Sequence, residues 1–130
     1  MNSWNIEKIE TRDEGNFAIV NGTSVTNDTI EKLTAGEQIL VDSDRQSFVY
    51  ILEDDNGFAH LRFQKNVWNK IQELRLTDQP VYVEFAGSGK VSRLELTNFK
   101  EEMNTLIDNI RGNSNYGDEM VRAVEEVFVS

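Results

Sequence analysis

The chain has no cysteine, a single proline, a single histidine and a shortage of positive charge. Without cysteine it can form no disulfide, ligate no iron–sulfur cluster or thiolate zinc, and offer no cysteine nucleophile. One histidine leaves metal sites built on several imidazoles, and most nucleophile–histidine machinery, without their parts. Against 23 acidic side chains stand 13 lysines and arginines, for a formal charge of −10. A chain this acidic is repelled by the phosphates of nucleic acid and by anionic membrane surfaces. No apolar run approaches the ~20 residues that span a bilayer. The first eight residues lack the basic-then-apolar pattern of a signal peptide. What is present is 130 residues, 38% apolar and 28% charged, the balance of an ordinary soluble globular protein. The length suits one domain over residues 1–130, since ~100–200 residues is the usual size.

The first two thirds read as strand. Trp4–Thr11 and Asn16–Asn21 flank Asp13-Glu14-Gly15, where glycine permits the positive φ of a hairpin turn. Asn21–Gly36 reads as a loop around a short Ile30–Leu33 segment. Gln38–Val41 is a short apolar run stopped by Asp42-Ser43-Asp44. Ser47–Glu53 and Phe58–Phe63 enclose Asp54-Asp55-Asn56-Gly57, and Asn-Gly between β-branched and aromatic runs signals a hairpin. In the second of these strands Phe58, His60 and Arg62 alternate with Ala59, Leu61 and Phe63, so its two faces differ. Val67, Ile71 and Leu74 recur at helical spacing beside Trp68, in a helix expected to stop near Leu76, before Pro80. Val81–Phe85 and Val91–Leu96 form a further hairpin around Gly87-Ser88-Gly89-Lys90.

The C-terminal third changes period. Thr97 is placed to cap a helix with Phe99, Met103, Leu106, Ile107 and Ile110 on one face. Glu101 and Glu102 suit the positive end of its dipole, and Gly112 suits a left-handed terminator. A last helix carries Met120, Val121, Val124, Val127 and Phe128 behind Asp118 and Glu119. The expected fold is α+β: a mostly antiparallel sheet with one inserted helix, covered by a C-terminal antiparallel helix pair.

Few residues carry a chemical signature. Gly87-Ser88-Gly89-Lys90 fails as a phosphate loop, because Glu84 and Val91 stand where a glycine and a hydroxyl are required and no helix follows. The acids of 42–55 fail as a calcium loop, with Leu52 and Phe63 in the first and last ligand positions. Asp42 and Asp44 could approach a divalent ion, though aspartates in turns commonly stabilise their own backbone. His60 lies mid-strand with no local triad signature. The strand Phe58–Lys65 mixes aromatic and basic residues in the manner of a single-strand nucleic-acid platform, but the net charge opposes that use. Asn113–Gly117 joins two amphipathic helices with asparagine, tyrosine and glycine, residues that also make adaptable recognition contacts.

Two segments together resemble the YjbL-like family of small proteins from bacilli and staphylococci. One is Leu40–Asp44 followed by Phe48, Tyr50 and Trp68. The other is Asp108–Glu119 followed by Val121, Val124, Glu125 and Phe128. The resemblance covers roughly residues 36–76 and 97–129. It implies a cytoplasmic protein of a low-GC Gram-positive bacterium, and it brings no activity, cofactor or catalytic residue with it.

The expectation is therefore a non-enzymatic protein-interaction or regulatory module, with no cofactor, nucleic acid or membrane as partner. Its binding surface is expected at Asp42, Ser43, Asp44, Asn113, Asn115, Tyr116 and Gly117, toward a protein partner or a second copy. The alternative is a small acid/base or divalent-metal hydrolase built on Asp42 and Asp44, with His60 or Glu119.

Overall fold

The computed structural model describes residues 2–21, 30–55, 57–86 and 91–129. Strands β1 (Asn2–Asn5), β4 (Thr34–Asp42), β5 (Ser47–Asp54) and β6 (Gly57–Gln64) make a first sheet in the order β1-β6-β5-β4. Strands β2 (Lys8–Arg12), β3 (Gly15–Asn21), β7 (Val81–Ala86) and β8 (Ser92–Glu95) make a second, in the order β2-β3-β7-β8. Among the described residues three helices of eight or more residues accompany the strands: α1 (Trp68–Arg75) between β6 and β7, then α2 (Phe99–Ile110) and α3 (Asp118–Phe128) after β8. The fold is α+β, but the expected antiparallel sheet is corrected to two mixed ones. In each, one pair is parallel, β1 with β6 and β3 with β7.

The reason for two sheets lies in two residues. Trp4–Thr11 reads as one strand because its apolar alternation hardly pauses, yet the chain changes sheets between Asn5 and Lys8. The Ile6 N–H donates to the Arg62 carbonyl in the first sheet, 2.9 Å away, and the Glu7 N–H donates to the Ile19 carbonyl in the second, also at 2.9 Å. Both parallel partners lie more than fifty positions away in sequence. Local periodicity carries no record of them.

The three expected hairpins form, pairing β2 with β3, β5 with β6 and β7 with β8. Gly15 has φ +153°, and a Cβ there would stand 2.7 Å from the Pro80 carbonyl oxygen. Only glycine fits that turn. Asn56 and residues 87–90, including the glycine-rich segment weighed as a phosphate loop, lie outside the described residues, as does 22–29 of the expected loop. Strand β4 is longer than the short run expected. Its register shifts between Ala35 and Ile39, and Glu37 has φ +60°. Such a bulge hides a strand from a period-two reading.

Helix α1 is entered through a 3-10 turn at Lys65–Val67 and buries Trp68, Ile71 and Leu74. Helix α2 buries Phe99, Met103, Ile107 and Ile110 and is terminated by Gly112 at φ +64°. Thr97 does not cap it. Asn98 precedes the helix at φ +64° without a side-chain cap, and the Thr97 carbonyl instead accepts the Tyr50 hydroxyl at 2.6 Å. Helix α3 buries Met120, Ala123, Val124 and Phe128.

All three helices meet the inner face of the first sheet through aromatic contacts. Phe48 touches Trp68 of α1 at 5.0 Å and Phe128 of α3 at 6.1 Å, while Phe99 of α2 lies 5.2 Å from Phe63. Each fully buried phenylalanine of this kind stabilises the fold by roughly 1.5–3 kcal/mol. The second sheet joins the same apolar cluster, with Trp4 meeting Phe85 edge-on at 5.2 Å. The inner faces are thereby consumed, and the outer faces, turns and helix ends are left for function.

Candidate functional site

Asp42 ends β4 and begins the tight turn to Ser47. Its Oδ2 accepts from Arg62 Nη1 at 2.8 Å and its Oδ1 from the Arg45 N–H at 3.2 Å. The same Arg62 nitrogen donates to Ser47 Oγ at 2.8 Å. Partial burial pushes the Asp42 carboxyl up, but the hydrogen bonds from Arg62 and Arg45 outweigh it and hold the pKa below the ordinary value. This aspartate is a structural pin for the turn. Asp44 beyond it is exposed, with no ion pair among the described residues.

At the other segment, Asn113 spends its amide on local backbone. Its Oδ1 accepts from the Asn115 N–H at 3.1 Å and its Nδ2 donates to the Asn109 carbonyl at 3.2 Å. Those bonds shape a 3-10 turn over Ser114–Tyr116, after which Gly117, at φ +91°, opens α3. The Gly112 N–H is held by Glu125 of α3 at 3.0 Å, which ties the loop to the helix it precedes.

Tertiary folding brings the two segments together. Ser43 and Asp44 line one open cavity of about 520 Å³ with Asn115, Tyr116 and Gly117, closed by the first turn of α3. Asn113 and Asp42 lie outside its lining. Asp118, Glu119 and Met120 complete the wall. The sequence presents Asp118 and Glu119 chiefly as dipole-matching acids, which hides their place beside Asp44.

The Asp42–Asp44 turn also borders a second cavity, of about 430 Å³, on the outer face of the first sheet. Leu40 and Val49 lie beneath it, His60 and Arg62 flank it, and Ser43 and Asp44 form the ridge between the two cavities. Arg62 and Val49 were missed as site residues. The alternation in Phe58–Phe63 signals that Arg62 faces away from the core, but only the β5–β6 register sets it opposite Val49. Thus Asp42, Asp44 and His60 share one cavity, and Glu119 faces Asp44 across the other. Among the described residues no three His, Asp or Glu side chains group as ligands for one ion. Nor is any described helix long and apolar enough to cross a membrane.

A model of the family described as "Family of unknown function (UPF0738)" matches residues 4–128. The chain belongs to the UPF0738 family. Its relatives include a UPF0738 protein of Geobacillus sp. strain WCH70, 37% identical over 125 residues, covering 96% of this chain and 95% of the relative. Another, from Shouchella clausii, is 41% identical over 97 residues, covering 75% and 76%. A third, from Bacillus mycoides, is 33% identical over 128 residues, or 98% of each chain. This is the family of bacilli to which Leu40–Asp44 and Asp108–Glu119 pointed. The UPF0738 match also takes in the N-terminal third, which the motif resemblance left out. No solved structure matches the chain.

Proposed function

We propose that this UPF0738 chain is a cytoplasmic, non-enzymatic interaction or regulatory module. Its binding surface is the cavity between the Asp42–Asp44 turn and the Asn115–Gly117 loop, and its occupant is another protein. The observation that carries this reading is the convergence of Asp44 and Tyr116, 72 positions apart in sequence, on one cavity wall. Both side chains are free to be used there. Tyr116 is half-buried and Asp44 exposed, and neither has a side-chain hydrogen bond among those of the described residues. Tyrosine supplies rigid contact area at low entropic cost, and a free carboxylate supplies orientation. Asn113 acts indirectly, by shaping the turn that presents Tyr116.

The test uses the tagged full chain as bait in a bacillus lysate, beside the Asp44→Ala/Tyr116→Ala variant. The captured protein is then purified and its affinity for both baits measured. A partner bound by the wild type and lost by the folded double variant supports the reading. Equal binding by both baits, or no partner for either, overturns it.

A hydrolase reading is favoured by a separate observation, the shared cavity of Asp42, Asp44 and His60. It stands second because the Asp42 carboxylate is already engaged by Arg62 and by the Arg45 N–H. A general base must be free to reach the proton it takes. Turnover in a panel of ester, phosphoester and glycoside substrates, abolished by Asp44→Ala or His60→Ala, would promote it.

A further inference from the structure

The outer face of the first sheet carries an apolar stripe that lies outside the main apolar cluster. Pairing sets Leu40 opposite Val49, Val49 opposite Arg62, Ile51 opposite His60 and Glu53 opposite Phe58. These residues alternate with Phe48, Tyr50, Leu52, Ala59 and Leu61, which belong to the core cluster, whereas Leu40, Val49, Ile51 and Phe58 do not. Leu40, Val49, Ile51 and Phe58 therefore run diagonally across the face from β4 to β6. Only its ends are open, Leu40 being 46% and Phe58 53% exposed, while Val49 and Ile51 between them are buried at 5% and 7% and form a floor. Scattered single apolar side chains on a surface need no explanation, but two open ones joined by an apolar floor and set in a polar rim offer paired anchors for a docked segment.

The rim indicates what covers it. At the Leu40 end stands Asp44, without an ion-pair partner among the described residues, and beside Phe58 stands Glu53, likewise without one. Arg62, a cation on this face, is 13% exposed and committed to Asp42 and Ser47, and Arg45 on the adjoining turn acts on Asp42 as well. A second copy of the chain would bring carboxylates against carboxylates at either end, on top of −10 per chain. Charge complementarity calls for a basic partner.

We infer that this stripe docks a segment of another protein with an apolar centre and lysine or arginine on both sides. This deepens the interaction-module reading and rests on it. The apolar centre anchors on Leu40 and Phe58 across the Val49–Ile51 floor, while the flanking cations meet Asp44 and Glu53. The Asp42–Asp44 ridge makes the stripe continuous with the Tyr116 cavity, so one partner can span both.

The test titrates the isotope-labelled full chain with a capped peptide, Lys-Lys-Leu-Phe-Val-Leu-Lys-Lys, at about 0.15 M salt, where long-range attraction is screened. Backbone amide shifts should concentrate at Leu40, Val49, Ile51 and Phe58, and the Leu40→Ser/Phe58→Ser variant should bind roughly tenfold more weakly or worse. The same peptide with glutamate for lysine should not bind. Shifts scattered over the acidic surface, or unchanged affinity in the folded variant, overturn the inference. So does a chain that sediments as a dimer and becomes monomeric in the variant, since the occupant would then be a second copy. If the lysate partner is lost with Tyr116→Ala but kept with Leu40→Ser/Phe58→Ser, this inference fails and the module survives.

Discussion

On the outer face of the second sheet, Glu84 accepts both Arg12 Nη1 at 2.7 Å and Arg12 Nη2 at 3.0 Å, and also Arg93 Nε at 3.1 Å. Both guanidinium carbons stand over the Phe17 ring, at 4.4 and 4.7 Å, and Phe17 stacks on Tyr82. Glu10, Glu14 and Lys8 close the network, so three carboxylates answer three cations. On the outer face of the first sheet Asp42 and Arg62 form the one ion pair seen among the described residues, and Leu40 and Phe58 end in solvent near Asp44 and Glu53, which have no ion-pair partner among them. The contrast separates stability from function. A face whose charges and rings satisfy one another has nothing left for a ligand, whereas a face with unspent groups does.

Four substitutions sharpen or break this contrast, and the largest effect belongs to the closed face. Glu84→Ala leaves two arginines without their shared carboxylate over an aromatic ring. Its side chain is only 8% exposed. Removing one partner of a buried pair costs up to ~3–5 kcal/mol, and the partial exposure of both arginines brings the expected loss to about 2–3 kcal/mol. Urea unfolding measures it, and a loss under about 0.5 kcal/mol, the size of an ordinary surface change, would erase the distinction between the faces.

Acid should expose the same network. Arg12 first, and Arg93 after it, hold the Glu84 carboxyl below its ordinary value of 4.5. A depressed carboxylate contributes stability above the unfolded-state pKa, and that contribution disappears as pH falls through the folded-state value. The wild type should therefore lose stability below about pH 4.5 more steeply than Glu84→Gln. Parallel acid limbs for the two proteins would show that the network is not linked to folding.

On the open face the expected losses shrink. Asp42→Asn removes a largely buried ion pair with Arg62 and should cost about 1 kcal/mol, by loosening the turn that carries Asp44. Leu40→Ser/Phe58→Ser, two substitutions at side chains already half in water, should together cost no more than about 1 kcal/mol in unfolding. A drop of 2 kcal/mol or so in that variant would mean the stripe is part of the core, and the contrast would collapse.

Legibility in the sequence followed the range of the interactions. The three hairpins, the helix at Trp68 and both C-terminal apolar faces depend on neighbours within a few residues, and all were readable. The break at Ile6-Glu7, the bulge at Glu37 and the two parallel pairs depend on partners far along the chain, and none was. At the site, the Asp42–Asp44 and Asn115–Gly117 segments stood out for their turn chemistry. That Asn113 and Asp42 spend their polar atoms on nearby backbone, and Asp42 on Arg62 as well, could not be read, because both look like their exposed neighbours. Arg62 and Val49 were overlooked because a strand residue gains meaning only from what lies across the ladder.

The sequence by itself determined the acidic balance, the hairpins, the amphipathic helices and the family, since composition, turn residues and short-period patterns are local properties. Only the tertiary structure decided that there are two sheets, that one outer face closes on itself while the other stays open, and that Asp44 and Tyr116 meet. Those outcomes depend on register and packing between residues dozens of positions apart. Side-chain identity constrains such pairings only once the core has excluded the alternatives.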